Sequence, residues 1–191
     1  FIGCTAGLLK GQGVNVLLNI FVGPVLNAAR GIADQVNAAI CSFSGNFMTA
    51  LNPQITKSYA SDNREYTMSL VERGSRFSFY IMFILALPVL LETDFILKLW
   101  LKQYPDHTVN FVRLVLLLSL SEMLSNTLIT LQNANGNIRN YQIAVGGMLL
   151  MNFPLSYCCL KAGFLPESTL VVALFVSVCC LVLRLLFLRR M

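Results

Sequence analysis

What most limits how this chain can fold is a set of six apolar stretches, each near the length that crosses a bilayer. They occupy roughly residues 4–25, 28–51, 77–91, 108–131, 141–160 and 168–188. A spanning helix needs ~20 mostly apolar residues, because ~30 Å of hydrocarbon is covered at ~1.5 Å per residue. Little remains for a water-soluble domain: 56% of the residues are hydrophobic and 12% charged, with a mean hydropathy of +0.68. Backbone in hydrocarbon must satisfy its own hydrogen bonds, which leaves helices or a closed barrel. The alternating apolar and polar positions of barrel strands are missing. The expected fold is an all-α membrane protein, a six-transmembrane-helix bundle.

The net charge of +5 would suggest nucleic acid in a soluble protein. In a membrane protein it reports orientation, and no nucleic-acid partner is expected. Alternating loops place Lys57, Arg64, Arg73, Arg76, Arg139, Arg189 and Arg190 on one side, against Arg30, Lys98, Lys102 and Lys161 on the other. The excess of basic residues marks the cytoplasmic side, so both ends of the chain are expected there. No basic n-region with a small-residue cleavage site precedes the first apolar run, as a signal peptide requires. Phe1 in place of an initiator Met, and an end at Leu-Arg-Arg-Met, read as a fragment of a longer protein.

The first stretch is polar for a lipid-facing helix. Lys10, Gln12, Asn15 and Asn19 interrupt it, and the three amides share one helical face. Gly23-Pro24 closes it. In the second stretch Arg30 and Asp34 stand i, i+4 and can pair, and Asn27 and Asn37 continue the polar stripe. Ala28, Ala29, Gly31, Ala33, Ala38 and Ala39 allow another helix to approach closely. Pro53 is expected to end that helix. A short amphipathic helix on the cytoplasmic surface is expected at about 54–76, with Ser61-Asp62-Asn63 supplying cap-type residues. The loop 92–107 holds Trp100 and Tyr104, a pairing that fits an interfacial aromatic belt. Tyr66, Tyr80 and Tyr141 read as interface anchors, His107 as a solvated residue, and Arg184 as part of a cytoplasmic exit.

The stretch 11–60, with Asn-Ala-Ala-Arg-Gly-Ile-Ala at 27–33, Gln-Val-Asn at 35–37 and Leu-Asn-Pro-Gln-Ile-Thr-Lys-Ser-Tyr-Ala at 51–60, resembles bacterial polysaccharide exporters. These are the O-antigen and capsule flippases of the multidrug/oligosaccharidyl-lipid/polysaccharide exporter superfamily. The resemblance covers the first third of the chain; the other four stretches match in hydropathy alone. It implies the C-terminal lobe of a two-lobe, MATE-like transporter in the bacterial inner membrane, working by alternating access with a missing N-terminal lobe. The implied substrate is an oligosaccharide on undecaprenyl pyrophosphate, with membrane lipids as the other partner. Cation-coupled drug exporters of the same superfamily are the alternative.

A pyrophosphate and a sugar call for cations and amides in the cavity. Lys10, Gln12, Asn15, Asn19, Arg30 and Asn37 are therefore the candidate substrate-binding residues. Lysine at the bilayer centre costs ~3 kcal/mol on insertion scales, so Lys10 should face a cavity unless it snorkels to the surface. Arg30 is open to the same alternative, or to pairing with Asp34. The amides also suit interhelical hydrogen bonding. Asp34 and Glu122 are candidates for a coupling ion; Ser125 or Asn126 could instead satisfy Glu122. Cys4, Cys41, Cys158, Cys159, Cys179 and Cys180 lack zinc-ligand spacing and read as packing residues. No phosphate loop, metalloprotease motif, nucleophile elbow or CxxC pair is present, so neither an enzyme nor a cofactor or metal is expected.

Overall fold

The computed structural model describes residues 7, 9–136 and 138–189, with residues 9 and 10 described by backbone alone. Among them there is helix and no strand. A π-helical turn, Leu9–Gly13, leads into α1 (Val14–Phe21). Then follow α2 (Pro24–Ala60), α3 (Arg64–Leu91), α4 (Thr93–Leu101), α5 (Thr108–Ala134), α6 (Arg139–Leu150), α7 (Asn152–Lys161) and α8 (Ser168–Leu188).

Four segments are long and apolar enough to cross a membrane: α3, α5, the α6–α7 pair and α8. They correspond to the last four apolar stretches and are compatible with a multi-pass membrane protein. The first two stretches depart from expectation. The first yields a helix of only 8 residues after the π turn, and Cys4 lies outside the described residues. The second is one helix of 37 residues, or ~55 Å, too rich in Asn, Gln and small residues to rank as an apolar span.

Pro53 does not end α2 but sits inside it. Proline removes one N–H from the ladder; Thr49, whose carbonyl loses that donor, and Pro53 are both exposed, where the lost bond costs least. No separate surface helix forms at 54–76. That stretch is the last turn of α2, a tight turn at Ser61–Asn63, and the start of α3. Asn63 caps α3 by accepting from the Tyr66 N–H at 3.2 Å. The hydroxyls of Ser58 and Thr67, 2.8 Å apart and buried, close the hairpin.

The apolar stretch at 141–160 breaks at Met151. Met151 N–H still reaches the Gly147 carbonyl, and Leu155 N–H the Met151 carbonyl. Pro154 has no N–H to give Leu150, so the ladder is interrupted between them. The loop at 92–107 also holds more order than expected, because α4 occupies most of it.

The long helices alternate in direction, and α5, the most buried, is packed by α2, α3 and α8. Ala29, Ala33 and Ala86 are fully or almost fully buried and let α2 and α3 close on Phe111, Val112 and Leu116 of α5. Ile55, Val71, Leu128 and Leu131 form the core at the end bearing the Ser61–Asn63 turn. There Thr130 donates to Asn52 Oδ1 at 2.9 Å, and Tyr59 to Asn135 Oδ1 at 2.7 Å. Tyr141, expected at the interface, is buried between α6 and α8, and its hydroxyl accepts from Arg184 Nε at 3.2 Å. Arg184 is likewise buried instead of marking an exit. Tyr66 and Tyr80 are exposed.

His107, 35% exposed at its side chain, is only partly solvated and is tied down. Its Nδ1 donates to Glu167 Oε1 at 2.6 Å, and Asn110 Nδ2 donates to the same oxygen at 3.1 Å. These bonds tie the start of α5 to the start of α8. Burial pushes the Glu167 carboxyl up. Hydrogen bonds from His107, from its own backbone and from Asn110 outweigh burial and hold it below its ordinary value of 4.5. A depressed carboxyl stabilises the fold above its unfolded value, and that contribution is lost as pH falls through the folded value. Glu167→Gln should therefore cost about 1–3 kcal/mol at neutral pH. Thermal unfolding in detergent between pH 7 and 3 should show the gap between wild type and variant shrinking on the acid side.

Gly74 of α3 is where α2 and α5 come nearest. A Cβ there would collide with Leu51 Cδ2 and lie 3.3 Å from Thr127 Cγ2. Leu51 is only half-buried and can rotate, so Gly74→Ala should be mild. Gly74→Val should lose about 1–3 kcal/mol, the usual cost of overpacking, in the same unfolding measurement.

Candidate functional site

Between α2, α5, α7 and α8 lies a small cavity of about 200 Å³ with a mixed polar and apolar lining. From α2 it receives Arg30, Asp34 and Asn37. From α5 come Ser119 and Glu122, from α7 Asn152 and from α8 Thr169; Gly11 and Val14 form the remaining wall. The polar face of α2 is thus directed at the central helix and at the break between α6 and α7.

Four polar residues here are almost wholly removed from solvent, Ser119 and Thr169 of modest size and two larger ones. Arg30 is 9% exposed and Asn152 is 0% exposed. Arg30 Nε stands 3.8 Å from Asp34 Oδ2, within ion-pair range but too far for a hydrogen bond. Among the described residues Arg30 Nε and Nη1 and both amide atoms of Asn152 have no hydrogen-bond partner. Each buried polar group left so costs about 1–3 kcal/mol, a guanidinium more. The pairing of Arg30 with Asp34 therefore forms, yet leaves Nε and Nη1 without a hydrogen-bond acceptor among the described residues. Snorkelling does not describe Arg30.

The other residues divide clearly. Asn37 lines the cavity and accepts from the Cys41 thiol at 3.5 Å. Glu122 lines it as well. Ser125 Oγ is buried without a hydrogen-bond partner among the described residues, and Asn126 Nδ2 lies 3.7 Å from Met123 Sδ. Gln12 and Asn19 are exposed and do not line the cavity, while Asn15 is half-buried with its Oδ1 out of solvent. The amide stripe of the first helix is thus not gathered with that of α2. The Lys10 side chain lies outside the described residues. Cys41, Cys158, Cys159, Cys179 and Cys180 are free thiols, and no three His, Cys, Asp or Glu side chains among the described residues could together hold a metal.

Asn152, Ser119 and Thr169 were not singled out from sequence. Asn152 carried a usable signal: an amide two residues before a proline in a membrane-length apolar stretch, where broken helices place their binding groups. Ser119 and Thr169 gave none, since single hydroxyls are common packing residues in such helices.

The cavity sets one cation, Arg30, beside two acids, Asp34 and Glu122, and the amides and hydroxyls of Asn37, Asn152, Ser119 and Thr169. It is smaller than the ~300–1,000 Å³ of ordinary small-ligand pockets. At ~30 Å³ each it holds a few waters, or one compact acceptor group at the end of a larger molecule. A wider cleft of about 440 Å³ lies between α3, α5 and α8 near the opposite end, but its lining is mainly Met, Val and Leu. No family model, curated protein or solved structure matches the chain.

Asn152 separates a structural role from a binding one. If its amide serves a ligand or water and no protein group, Asn152→Leu should unfold at the same temperature as wild type or higher, by up to about 1–3 kcal/mol. A clear loss of thermal stability in detergent would show that the amide holds the fold together.

Proposed function

We propose that the chain is one helical lobe of a membrane transporter of lipid-linked oligosaccharide, with the Arg30 cavity receiving the anionic end of the substrate. The observation that carries this reading is a guanidinium 9% exposed, beside a polar cavity, whose Nε and Nη1 have no hydrogen-bond acceptor among the described residues. A buried cation among membrane-length helices is retained only where something compensates it. A phosphate-type oxyanion suits a planar donor fork well.

The outward faces of the helices support the same reading. On α3 and α8 the exposed residues are large and apolar, Phe77, Phe83, Ile84 and Leu91 on one, Val171, Phe175 and Val182 on the other. On one side of α2 they are Gly31, Gln35, Ala38, Ala39, Ser42, Gly45, Asn46 and Thr49, with Phe43 and Val25 exposed on its flank. Lipid covers the first kind of face without cost. The second kind suits a polar passage or a closely packed helix, as a second lobe across a central passage would supply. The oligosaccharide itself is far too large for about 200 Å³, so only the charged end enters the cavity and the sugars lie between the lobes.

By the distribution of basic residues, the end carrying the Ser61–Asn63 turn faces the cytoplasm and the α4 end faces outward. The transport cycle is rocking of two lobes, bacterial inner membrane is the setting, and undecaprenyl pyrophosphate is the anchor the resemblance implies. One observation favours the second reading, a cation-coupled exporter of small organic molecules: Asp34 and Glu122 line the same cavity. In that case the carboxylates carry the activity and Arg30 serves only to balance them.

Substitution in the full-length protein separates the two. Under the flippase reading Arg30→Ala abolishes surface polysaccharide at normal protein level, Arg30→Lys keeps part of it, and Asp34→Asn or Glu122→Gln reduces it less. Drug resistance that depends on the two acids, with polysaccharide unaffected by Arg30→Ala, would establish the exporter instead.

A further inference from the structure

We infer that α4 docks into the bilayer surface at its own end of the molecule, laying Phe95, Leu99 and Trp100 into the headgroup–acyl boundary. This rests on the membrane reading above but not on the transport one.

The helix has three sectors. At ~100° per residue, Thr93 and Leu97 share the side turned to the bundle, where they are 0% and 1% exposed. Arg113 of α5 donates to the Thr93 hydroxyl at 3.3 Å and fixes that side against α5. Asp94 and Lys98 share a second side, joined at 2.5 Å and exposed. The Tyr104 hydroxyl also donates to Asp94, so the chain after α4 folds back along this polar side. Hydrogen bonds from Lys98 and Tyr104 hold the Asp94 carboxyl below its ordinary value, and Asp94 holds the Lys98 ammonium above its own. Both remain charged at neutral pH, and this side belongs to water. Phe95 and Leu99 fill the third side at 63% and 75% exposure, and the half-buried Ile96 and half-exposed Trp100 carry the apolar surface around to the flank of Thr93. Protein, water and an uncovered apolar face around one short helix form the arrangement of an interfacial helix lying beside a bundle.

Lipid fits that third face better than a protein partner does. The face belongs to a helix that follows in the chain directly after α3, a membrane-length helix that exposes Ile84, Leu87 and Leu91. It comprises three large side chains, and at ~150–250 Å² for each aromatic it falls short of the ~800 Å² per partner of a stable interface. Insertion into a bilayer has no such threshold. Trp100, Tyr104 and Lys98 are also the residue types that collect at the headgroup level. The Asp94–Lys98 pair leaves the sector neutral, so docking should not depend on anionic lipid.

Trp100 is the only tryptophan, so its fluorescence reports on α4 alone. The whole chain is reconstituted in phosphatidylethanolamine–phosphatidylglycerol vesicles, and flotation after alkaline carbonate washing first establishes membrane integration. Lipids carrying a nitroxide at carbon 5 or carbon 12, and aqueous iodide, then serve as quenchers. Docking at the boundary predicts several-fold stronger quenching by the shallow label than by the deep one or by iodide, unchanged when phosphatidylglycerol is omitted. Phe95→Asp combined with Leu99→Asp should move quenching from lipid to iodide while flotation is kept. Dominant iodide quenching of the wild type, dominant deep-label quenching, or quenching by none of them overturns the proposal, placing α4 in water, at spanning depth or under protein. Failure to float overturns the membrane reading instead.

Discussion

A backbone that must close its hydrogen bonds within each helix is the constraint on which the rest of this structure depends. In hydrocarbon no water stands by for an orphaned carbonyl, so long uninterrupted helices are the default and every interruption is informative. The helices break at Gly23, Glu92, Met151 and the Ala162–Gly163 turn. Three of these lie toward membrane surfaces, where water or headgroups can serve the freed groups. Gly23 adopts φ 99° and Gly163 φ 79°, values that a side chain would strain. The break at Met151 lies within a membrane-length segment, and the residue immediately after it is Asn152.

That coincidence gives the cavity its character. Interrupting the α6–α7 ladder brings a polar side chain to the interior of a helix pair otherwise made of Tyr, Val, Leu and Cys. Across from it α2 offers Arg30, fixed between Ala29 and Ala33, whose small size lets that helix sit close to α5. The arginine cannot retreat to the surface from such close packing. Asp34 stands 3.8 Å away, within ion-pair range yet too distant to take a full hydrogen bond. The result is a guanidinium held in place but incompletely satisfied, which is the electrostatic condition for binding something else.

Helix as the only regular structure among the described residues, and four of the six expected membrane-length segments, were legible in the sequence, because a hydrocarbon solvent writes itself into runs of ~20 residues. Ends and breaks were less legible. Pro53 looked like a stop signal, but an exposed proline deep in a well-packed helix only removes one bond. The polar run at 54–76 looked like a surface helix, because sequence alone does not distinguish one from two longer helices extending past the membrane. Hydropathy also hid α4, whose nine residues are too few to register as a span. For the site, Arg30, Asp34, Asn37 and Glu122 were found from their polarity within apolar surroundings. Gln12 and Asn19 shared that signal and are exposed, since periodicity within α1 does not fix which side of α1 meets α2. His107, Tyr141 and Arg184 were misplaced for a related reason: their partners Glu167, Tyr141 and Arg184 come from distant helices that no local pattern links.

The unequal surfaces of α2 and its neighbours bear on why the cavity is small. A complete site for a large amphiphile needs a wall for each chemical part of it, and this chain supplies a cation, amides and carboxylates on one side of α2 only. The other side, with its exposed Gly31, Gln35, Ser42 and Asn46, carries no charge over several turns and little bulk. A face of that kind tolerates both a close helix contact and a film of water, so it can alternate between them with little change in free energy. Large apolar residues there would favour contact too strongly, and charges would forbid it. Under the transport proposal, a helix that is charged toward its own bundle and neutral and small toward the outside would combine a fixed binding group with a surface that opens and closes.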